Sequence, residues 1–219
     1  MSGELLAHQQ PAGAETFIIE GTAEMILLAP TILQGSGIRL VPLQLAHHAA
    51  LCEIGLDERL WRLTTIQVRT PEEMQQYMQI ALDAQLAGTA LPFAIEERET
   101  GRIIGSTRFH SYHANHRRIE IGFTWLAVPW QRTGVNAEAK LLMLRHAFES
   151  LKCVRVEFKA DVDNSLSRRA LERLGATHEG VLRSYMISPR TGPRDVAIYS
   201  ILATEWPALR TRLEARLTA

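Results

Sequence analysis

The sequence predicts a mixed α/β domain in which helices pack on both faces of a central sheet. Stretches with helical spacing of apolar residues alternate with shorter stretches in which apolar and polar residues alternate. The early strands follow one another as a hairpin, whereas a later helix joins two strands and should make them parallel. At 219 residues, the chain is long enough to bury a sizeable core.

Residues 1–36 are rich in Ala, Gly and Glu and end in "QGSG", so we predict a partly disordered extension. Residues 37–219 are then a single domain. The first positively charged residue is Arg39, which leaves residues 1–38 without the basic region of a secretory signal. The apolar stretch "MILLAPTIL" is too short to span a bilayer. A cytoplasmic protein without a membrane partner is expected.

The charge balance argues against a dedicated nucleic-acid binder. Lys plus Arg and Asp plus Glu each number 24, so the net charge is zero, although a local positive pocket is still allowed. Cys52 and Cys153 have apolar neighbours and no metal-ligand spacing, which predicts buried thiols and no metal site.

The first half of the chain predicts a strand, two helices and a hairpin. The strand covers 38–43, and a helix follows over about 44–60. The second helix has Thr70 as its N-cap, Pro71 in its first turn and Glu73 completing a capping box, with Gly88 at its end. The hairpin is "LPFAIEER", the turn "ETG", and "RIIGSTRFHSY".

The second half predicts the remaining elements of a sheet with about six to seven strands. Its third long strand is "RRIEIGFTWLAV", at 117–128. The predicted elements that follow are a helix at 137–151, a strand at 154–161, a helix at 164–175, strands near 180–187 and 194–202, and a helix from Thr204.

The turn "VPWQRTGVNAEAK" at 128–140 offers two interpretations. A helix N-terminus presents unpaired amides and a partial positive charge, so this turn could hold an anion. It could equally be an ordinary strand-to-helix loop with Asn136 as the N-cap. Neither of the two familiar glycine-rich phosphate-loop patterns is present.

Three stretches resemble the GCN5-related N-acetyltransferase (GNAT) family, within it the RimJ/RimL-like ribosomal-protein-acetyltransferase branch. They are "RIEIGFTWLAVPWQRTGVNAEAKLLMLRHAFE", "DVDNSLSRRALERLGATHEGVLR" and "RDVAIYSILATEW", and the resemblance covers roughly residues 36–205. It implies a mostly antiparallel sheet with one splayed parallel pair, and acetyl-CoA as co-substrate. In the family's pyrophosphate pattern Q/R-x-x-G-x-G/A, the three fixed places are Gln131, Gly134 and Asn136.

The resemblance also implies which residues hold acetyl-CoA. The pantetheine arm would pair with the backbone after the third long strand, and the turn would hold the pyrophosphate. Asn136 departs from the pattern, and we expect it to cap the helix while Glu138 points to solvent. The implied residues are Trp125, Leu126, Val128, Gln131, Arg132, Thr133, Gly134, Val135, Asn136, Asn164, Ser167 and Arg169.

Glu120 is the candidate base. Strict alternation along the strand places it on one face with Gly122 and Thr124, where a carboxylate could take a proton from a substrate amine through water. The alternative is a structural salt bridge with a neighbouring Arg.

The resemblance implies that Asn164 and Ser167 attend the pantetheine arm and the leaving thiolate, unless they merely cap a helix. Where many family members carry a proton-donating Tyr, this chain has Leu171. Trp61 and Tyr185 are candidate acceptor-binding residues, with packing roles as the alternative. The stretch "HSYHANH" is interpreted as a polar loop rather than a metal site.

The predicted function is transfer of an acetyl group from acetyl-CoA to a primary amine. An α-amine is neutral at pH 7 about a hundred times more often than a lysine amine, and the site lacks the usual Tyr. This favours a protein or peptide α-amino group. A small-molecule amine as acceptor, or a non-catalytic acyl-CoA sensor, are the alternatives. Whether the protein is a monomer or homodimer is left open.

Overall fold

A computed structural model describes residues 28–64, 66–188 and 190–218. Within these ranges, eight strands form one sheet in the order β1-β2-β3-β4-β5-β6-β8-β7, and only β5 and β6 are parallel neighbours. The strands are β1 Leu33–Gln34, β2 Ile38–Pro42, β3 Leu91–Glu97, β4 Ile103–His113, β5 Arg118–Leu126, β6 Arg155–Asp161, β7 Thr177–Ser188 and β8 Gly192–Leu202.

Helices cover both faces of the sheet, as predicted. On one face, α1 (His48–Gly55) and α2 (Pro71–Leu86) enclose a smaller core. On the other, α3 (Val135–Arg145), α4 (Ser165–Leu174) and α5 (Trp206–Thr218) enclose the main core. Within the described ranges, no helix has both the length and the apolar character needed to cross a bilayer.

The α2 N-terminus confirms the predicted cap. The side chain of Thr70 accepts a hydrogen bond from the amide of Glu73 at 3.2 Å. The carboxylate of Glu73 in turn accepts from the amide of Arg69 at 2.6 Å, one residue earlier than a standard capping box requires. Gly88, just beyond the helix, has the left-handed φ of 70° that favours glycine.

The helix predicted over about 44–60 is shorter and broken. It consists of a 3₁₀ turn at Leu45–His47, then α1, then a second 3₁₀ turn at Glu58–Leu60. Asp57 precedes the second turn, and its side chain accepts from the amide of Arg59. Such a local side-chain bond competes with continuation of a helix.

The sheet has one strand more than the predicted six to seven, and this strand, β1, lies in the segment predicted to be an extension. Strand β1 pairs antiparallel with β2, and Leu28 is buried in the main core. The last part of 1–36 is therefore ordered against the sheet. Residues 1–27, where disorder was predicted, lie outside the described ranges.

Strands β5 and β6 pair over a short distance and then diverge. Their parallel register runs from Arg118 opposite Arg155 to Glu120 opposite Glu157. The next part of β5 contains a bulge, because β4 advances two residues from Ser106 to Arg108 while β5 advances three between Gly122 and Trp125. Phe123 takes up the extra residue with φ of 51°. Bulges bend a strand and re-aim its side chains, so this one opens the sheet beyond Glu120.

The bulge corrects the predicted alternation along β5. Thr124 was expected on the face of Glu120, but its hydroxyl contacts Lys140 of α3. Trp125, expected on the opposite face, packs in the smaller core under α1 and α2. An extra residue shifts a two-residue period by one, so every side chain beyond it changes face.

Candidate active site

The divergence of β5 from β6 creates a cleft of about 820 Å³. Its walls come from β5 and β6, the turn before α3, helix α4 and the segment between α1 and α2. Among the residues that the structure describes, none pairs as a strand with the edge of β5 that faces β6 beyond Glu120. An extended molecule can therefore lie along this edge as a further strand would.

The turn predicted to hold the pyrophosphate is ordered by its own side chains. The amide nitrogen of the Gln131 side chain donates to the carbonyl of Leu126 at 3.0 Å. The hydroxyl of Thr133 donates to the carbonyl of Trp130 at 2.7 Å. Between them, Arg132 has φ of 64°. These contacts fix the direction in which α3 begins.

Helix α3 begins two residues earlier than a cap at Asn136 would require. Gly134 is the N-cap and provides no side-chain hydrogen bond, while Asn136 is the second helical residue and lines the cleft. The prediction that Asn136 caps the helix is wrong. The backbone amides of Asn136 and Ala137 lie in the first turn of α3, where no carbonyl of the same helix can accept their hydrogen bonds. With the helix dipole, they suit an anionic group such as a pyrophosphate.

Glu138 is buried, which contradicts the prediction that it points to solvent. Only 7% of the residue is exposed. Its Oε1 accepts from the hydroxyl of Ser36 at 3.0 Å and from the amide of Gly37 at 2.9 Å. The carboxylate thus anchors the turn between β1 and β2 and is not among the residues that line the cleft. Its charge faces away from the predicted anion site.

Glu120 lies at the position where the parallel pairing ends. It is 3% exposed and lines the cleft. Its Oε2 accepts from Nζ of Lys159 at 2.8 Å, and its Oε1 lies 3.4 Å from Nε2 of His110. The salt bridge considered for this residue therefore exists, with a Lys of β6 rather than an Arg. Burial raises the pKa of Glu120, and the bond from Lys159 opposes that rise.

His110 is a site residue that the sequence interpretation missed. It lies on β4, not in a polar loop, and its ring packs edge-on against Phe123. Gly122 makes room for it, because a Cβ there would lie 2.5 Å from Nε2 of His110. Burial, with smaller contributions from Arg108, Lys159 and Lys140, lowers the pKa of His110 to about 3. The imidazole is therefore neutral at pH 7.

The other two members of "HSYHANH" do not join His110. His113 ends β4 and His116 lies in a 3₁₀ turn, with their ring centroids 6.5 Å apart. Within the described ranges, no group of three or more His, Cys, Asp or Glu side chains could hold a metal ion.

Asn164 and Ser167 both line the cleft from α4. The side-chain oxygen of Asn164 caps the helix by accepting from the amide of Ser167 at 3.0 Å. This leaves the amide nitrogen of Asn164 and the hydroxyl of Ser167 for other partners. Leu171 also lines the cleft, and it is buried against the main core. The position at which the resemblance implies a Tyr therefore offers no hydroxyl.

Lys140 is a second residue that the sequence interpretation missed. It lies on α3, is 7% exposed and lines the cleft. Its Nζ donates to the hydroxyl of Thr124 at 2.7 Å and lies 6.0 Å from the ring centroid of Phe158. The signal in the sequence was a lone Lys at the head of the apolar run "KLLML".

The remaining predicted site residues are divided between the cleft and its surroundings. Trp61 lines the cleft, and it is also a core residue whose ring nitrogen donates to the carbonyl of Gly55. Tyr185 lies outside the lining, with its ring centroid 5.2 Å from Nζ of Lys159. Val128, Val135 and Arg169 are also outside the lining.

Three arginines that were not predicted, Arg59, Arg173 and Arg216, line the cleft and provide positive charge there. Arg169 instead donates to the hydroxyl of Ser165. Arg173 lies one turn after Arg169 on α4, and Arg216 lies on α5, which also contributes to the cleft. The sequence of α4 alone therefore could not identify these two residues.

Comparison with known proteins assigns this arrangement to a class. Residues 38–177 match the family described as acetyltransferase (GNAT) domain. The cleft beside a free strand edge and a helix N-terminus suits a co-substrate with an extended arm and an anionic diphosphate. Fold and site together define an acetyl-CoA-dependent acetyltransferase.

The chain belongs to the GNAT acetyltransferase family. The uncharacterised N-acetyltransferase YoaA of Bacillus subtilis (strain 168) is 36% identical over 110 residues, which are 50% of this chain and 61% of YoaA. YdaF of the same organism, provisionally named a ribosomal N-acetyltransferase, is 32% identical over 106 residues, which are 48% of this chain and 57% of YdaF.

A solved structure extends the likeness over most of the chain. A provisionally named acetyltransferase from T. thermophilus is 36% identical and superposes with a TM-score of 0.79. The likeness covers 88% of this chain and 100% of that protein. The predicted fold, family and enzyme class are thereby confirmed.

Proposed function

We propose that this protein transfers the acetyl group of acetyl-CoA to the α-amino group of a protein or peptide. The observation that carries the proposal is the position of Glu120. Its carboxylate is buried at the point where β5 and β6 separate, and it faces the cleft from the strand edge that can receive the acyl donor.

In the proposed reaction, the neutral amine attacks the thioester carbonyl carbon directly. The new C–N bond forms, the C–S bond breaks, and the sulfur leaves with its electron pair. Glu120 takes the surplus proton of the amine through a bridging water. Lys159 supports this role, because its ammonium group 2.8 Å away favours the ionised form of a carboxylate whose pKa burial would otherwise raise further.

The residues of the cleft suit acetyl-CoA as donor. The edge of β5 beyond Glu120 supports an extended pantetheine arm, and the first turn of α3 supports the pyrophosphate. Asn164 and Ser167 stand opposite on α4, each with one polar group available. Arg173 and Arg216 add positive charge to the same cleft.

The acceptor side of the cleft supports an amine that loses its proton readily. Trp61, Tyr77 and Phe123 contribute aromatic surface to the cleft near Glu120. The candidate base is a carboxylate, and His110 is a weak base because of its low pKa. An α-amine with a pKa near 8 needs less help to lose its proton than a lysine amine near 10.4. The name of YdaF points to the same class of acceptor.

The experiment has two stages. Acetyl-CoA should raise the melting temperature of the protein, since it binds the folded state. Thiol release from acetyl-CoA should then be followed with three acceptors: a peptide with a free N-terminus, the same peptide blocked at its N-terminus but containing lysine, and small amines.

Turnover on the free N-terminus alone is the expected result. Preference for a small amine would replace the acceptor and keep the activity. Binding of CoA without thiol release on any acceptor would favour a sensor. No binding of CoA would refute the proposal altogether.

A further inference from the structure

Lys140 is a buried cation in the cleft for which the mechanism above has no use. Its Nζ has three N–H donors, and the structure gives one of them an acceptor, the hydroxyl of Thr124. That hydroxyl is also 2.7 Å from the hydroxyl of Thr107. Both partners are neutral, so the network leaves the charge of the ammonium uncompensated. A buried ammonium normally has a paired carboxylate.

Within the described ranges, no carboxylate lies within ion-pairing distance of Lys140. Two carboxylates share its cleft, and the other charged side chains there are cations. They are Glu120 and Asp161, with Arg59, Arg132, Lys159, Arg173 and Arg216. Glu120 is paired with Lys159, and Asp161 with Arg194. On the other side of α3, Arg145 is paired with Glu214 of α5, and Glu138 is engaged with the β1–β2 turn. None of these pairs includes Lys140.

Lys140 contacts the part of β5 along which the pantetheine arm would lie. Thr124 lies on β5 between Glu120, where the amine would be deprotonated, and Leu126, where the turn before α3 begins. The charge of Lys140 also contributes to the low pKa of His110, which contacts Glu120. Leu171, the position without a hydroxyl, lines the same cleft from the opposite wall.

We propose that Lys140 is the proton donor to the departing CoA sulfur. This inference rests on the proposed acetyl transfer. As the C–S bond breaks, the sulfur keeps the electron pair and accepts a proton from the ammonium of Lys140. The proton that Glu120 took from the amine then returns Lys140 to its ammonium form and leaves Glu120 ionised. The sum is amine plus thioester giving amide plus thiol, with no proton gained or lost.

The acid strength of Lys140 suits this transfer. Burial lowers the pKa of Lys140 to about 7. A thiol has a pKa of about 8.5, so the proton moves downhill from such a lysine to a thiolate. A lysine with an ordinary pKa near 10.4 would hold its proton more tightly than the thiolate does. The neutral hydroxyl of Thr124 orients Nζ without raising its pKa as a carboxylate would.

The first test follows the thiol of bound CoA rather than turnover. The ultraviolet absorbance of the thiolate is titrated against pH in complexes of CoA with wild type and with Lys140→Met. Because Lys140 would lose its proton before the thiol does, the thiol ionises beside a neutral amine. We therefore expect the bound thiol to have the same pKa in wild type and in Lys140→Met, within about half a unit. Desulfo-CoA, which has no thiol, should bind both proteins equally well.

The second test separates rate from binding. Lys140→Met should lower kcat by about 10²-fold with little change in KM for acetyl-CoA, since general acids typically contribute 10²–10⁴-fold. Lys152→Met, at an exposed position outside the cleft, is the matched control and should behave as wild type. Melting temperatures of all three proteins check that they fold.

Each outcome decides the inference. A thiol pKa at least about one unit lower in wild type than in Lys140→Met would show that Lys140 keeps its proton beside the thiolate. That result, or an unchanged kcat, would overturn the role of Lys140 while leaving the proposed function in place. Acetylation of Lys140 itself, seen as a mass increase after incubation with acetyl-CoA, would also overturn it. Failure of wild type to bind CoA would refute both the inference and the proposed function.

Discussion

The Nζ of Lys159 lies 2.8 Å from Oε2 of Glu120 and joins β5 to β6 where their backbone pairing stops. The side chains thus continue the connection between the strands just beyond their last register pair. This single contact serves both the fold and the proposed chemistry. It ties the two strands together where they separate, and it opposes the rise in the pKa of Glu120 that burial causes.

Glu120→Gln tests the base directly. Glutamine retains the shape and a hydrogen-bond acceptor for Lys159 but cannot take a proton. We expect kcat to fall by about 10²-fold, the lower end of what general bases contribute, while the affinity for CoA stays unchanged. Steady-state rates and calorimetric titration with CoA measure the two quantities.

Glu96→Gln is the matched control, because Glu96 is also a partly buried strand carboxylate in an ion pair, with Arg39. It lies outside the cleft and should leave kcat unchanged. If Glu120→Gln retained full turnover, Glu120 would have only its structural role.

His110→Gln should make the protein less sensitive to mild acid. The pKa of His110 is about 3 when folded, against an ordinary 6.5. As the pH falls below 6.5 the unfolded state gains a proton that the folded state does not, so stability is lost between pH 6.5 and 3. The substitution removes that loss. Glu120, whose raised pKa acts in the opposite direction, is present in both proteins.

Urea unfolding at pH 7 and pH 4.5 measures this effect. Between pH 7 and pH 4.5 the free energy of unfolding should fall less in His110→Gln than in wild type, by about 1–2 kcal/mol. This is below the roughly 2.7 kcal/mol that two pKa units represent, because the His110 side chain is partly exposed. His116→Gln, an exposed histidine, is the control. Equal losses in wild type and His110→Gln would show that His110 titrates normally.

Gly134→Ala should affect the affinity for CoA without affecting the stability of the fold. The φ of Gly134 is −65°, which alanine adopts readily, and an added Cβ would only touch Leu217 at 3.7 Å. The melting temperature should therefore be unchanged. A diphosphate lying against the first turn of α3 would meet the new methyl group, so the affinity for CoA should fall about tenfold, or about 1.4 kcal/mol.

The reverse pattern is expected for Gly88→Ala. Gly88 has φ of 70°, where alanine is strained, and lies far along the chain at the end of α2. This variant should lose stability and keep its affinity for CoA at temperatures where it is folded. Unchanged affinity in Gly134→Ala would place the diphosphate elsewhere.

Local signals predicted the elements of this fold well, because each signal is satisfied within a few residues. The cap at Thr70 and the stop at Gly175, with φ of 101°, depend on adjacent backbone. The strand–helix–strand order predicted the parallel pair, and the resemblance to the family supplied the role of the loop before α3. Neither inference required knowledge of distant contacts.

The parts of the site that were missed depend on contacts between distant segments. The bulge at Phe123 arises from the register between β4 and β5, and it moved Thr124 to the face of α3. His110 became a site residue only because β4 lies next to Glu120 and Gly122 leaves space for its ring. In the sequence Lys140 is a lone charge at the head of an apolar run, and only its contact with Thr124 of β5 places it in the cleft.

Glu138→Gln tests the contact that sequence reasoning placed in solvent. Oε1 of Glu138 accepts from both Ser36 and Gly37, more than 100 residues away in the chain. Weakening this charged acceptor leaves partly buried donors poorly satisfied, which should reduce the free energy of unfolding by about 1–3 kcal/mol in urea titrations. Glu99→Gln, an exposed position in the β3–β4 turn, should change it by less than about 0.5 kcal/mol.

Because the carboxylate of Glu138 faces away from the cleft, the affinity of Glu138→Gln for CoA at low temperature should equal that of wild type. Stability equal to wild type would mean that the β1–β2 turn is held by other contacts, such as the bonds from Arg98 to the carbonyls of Gly35 and Ser36.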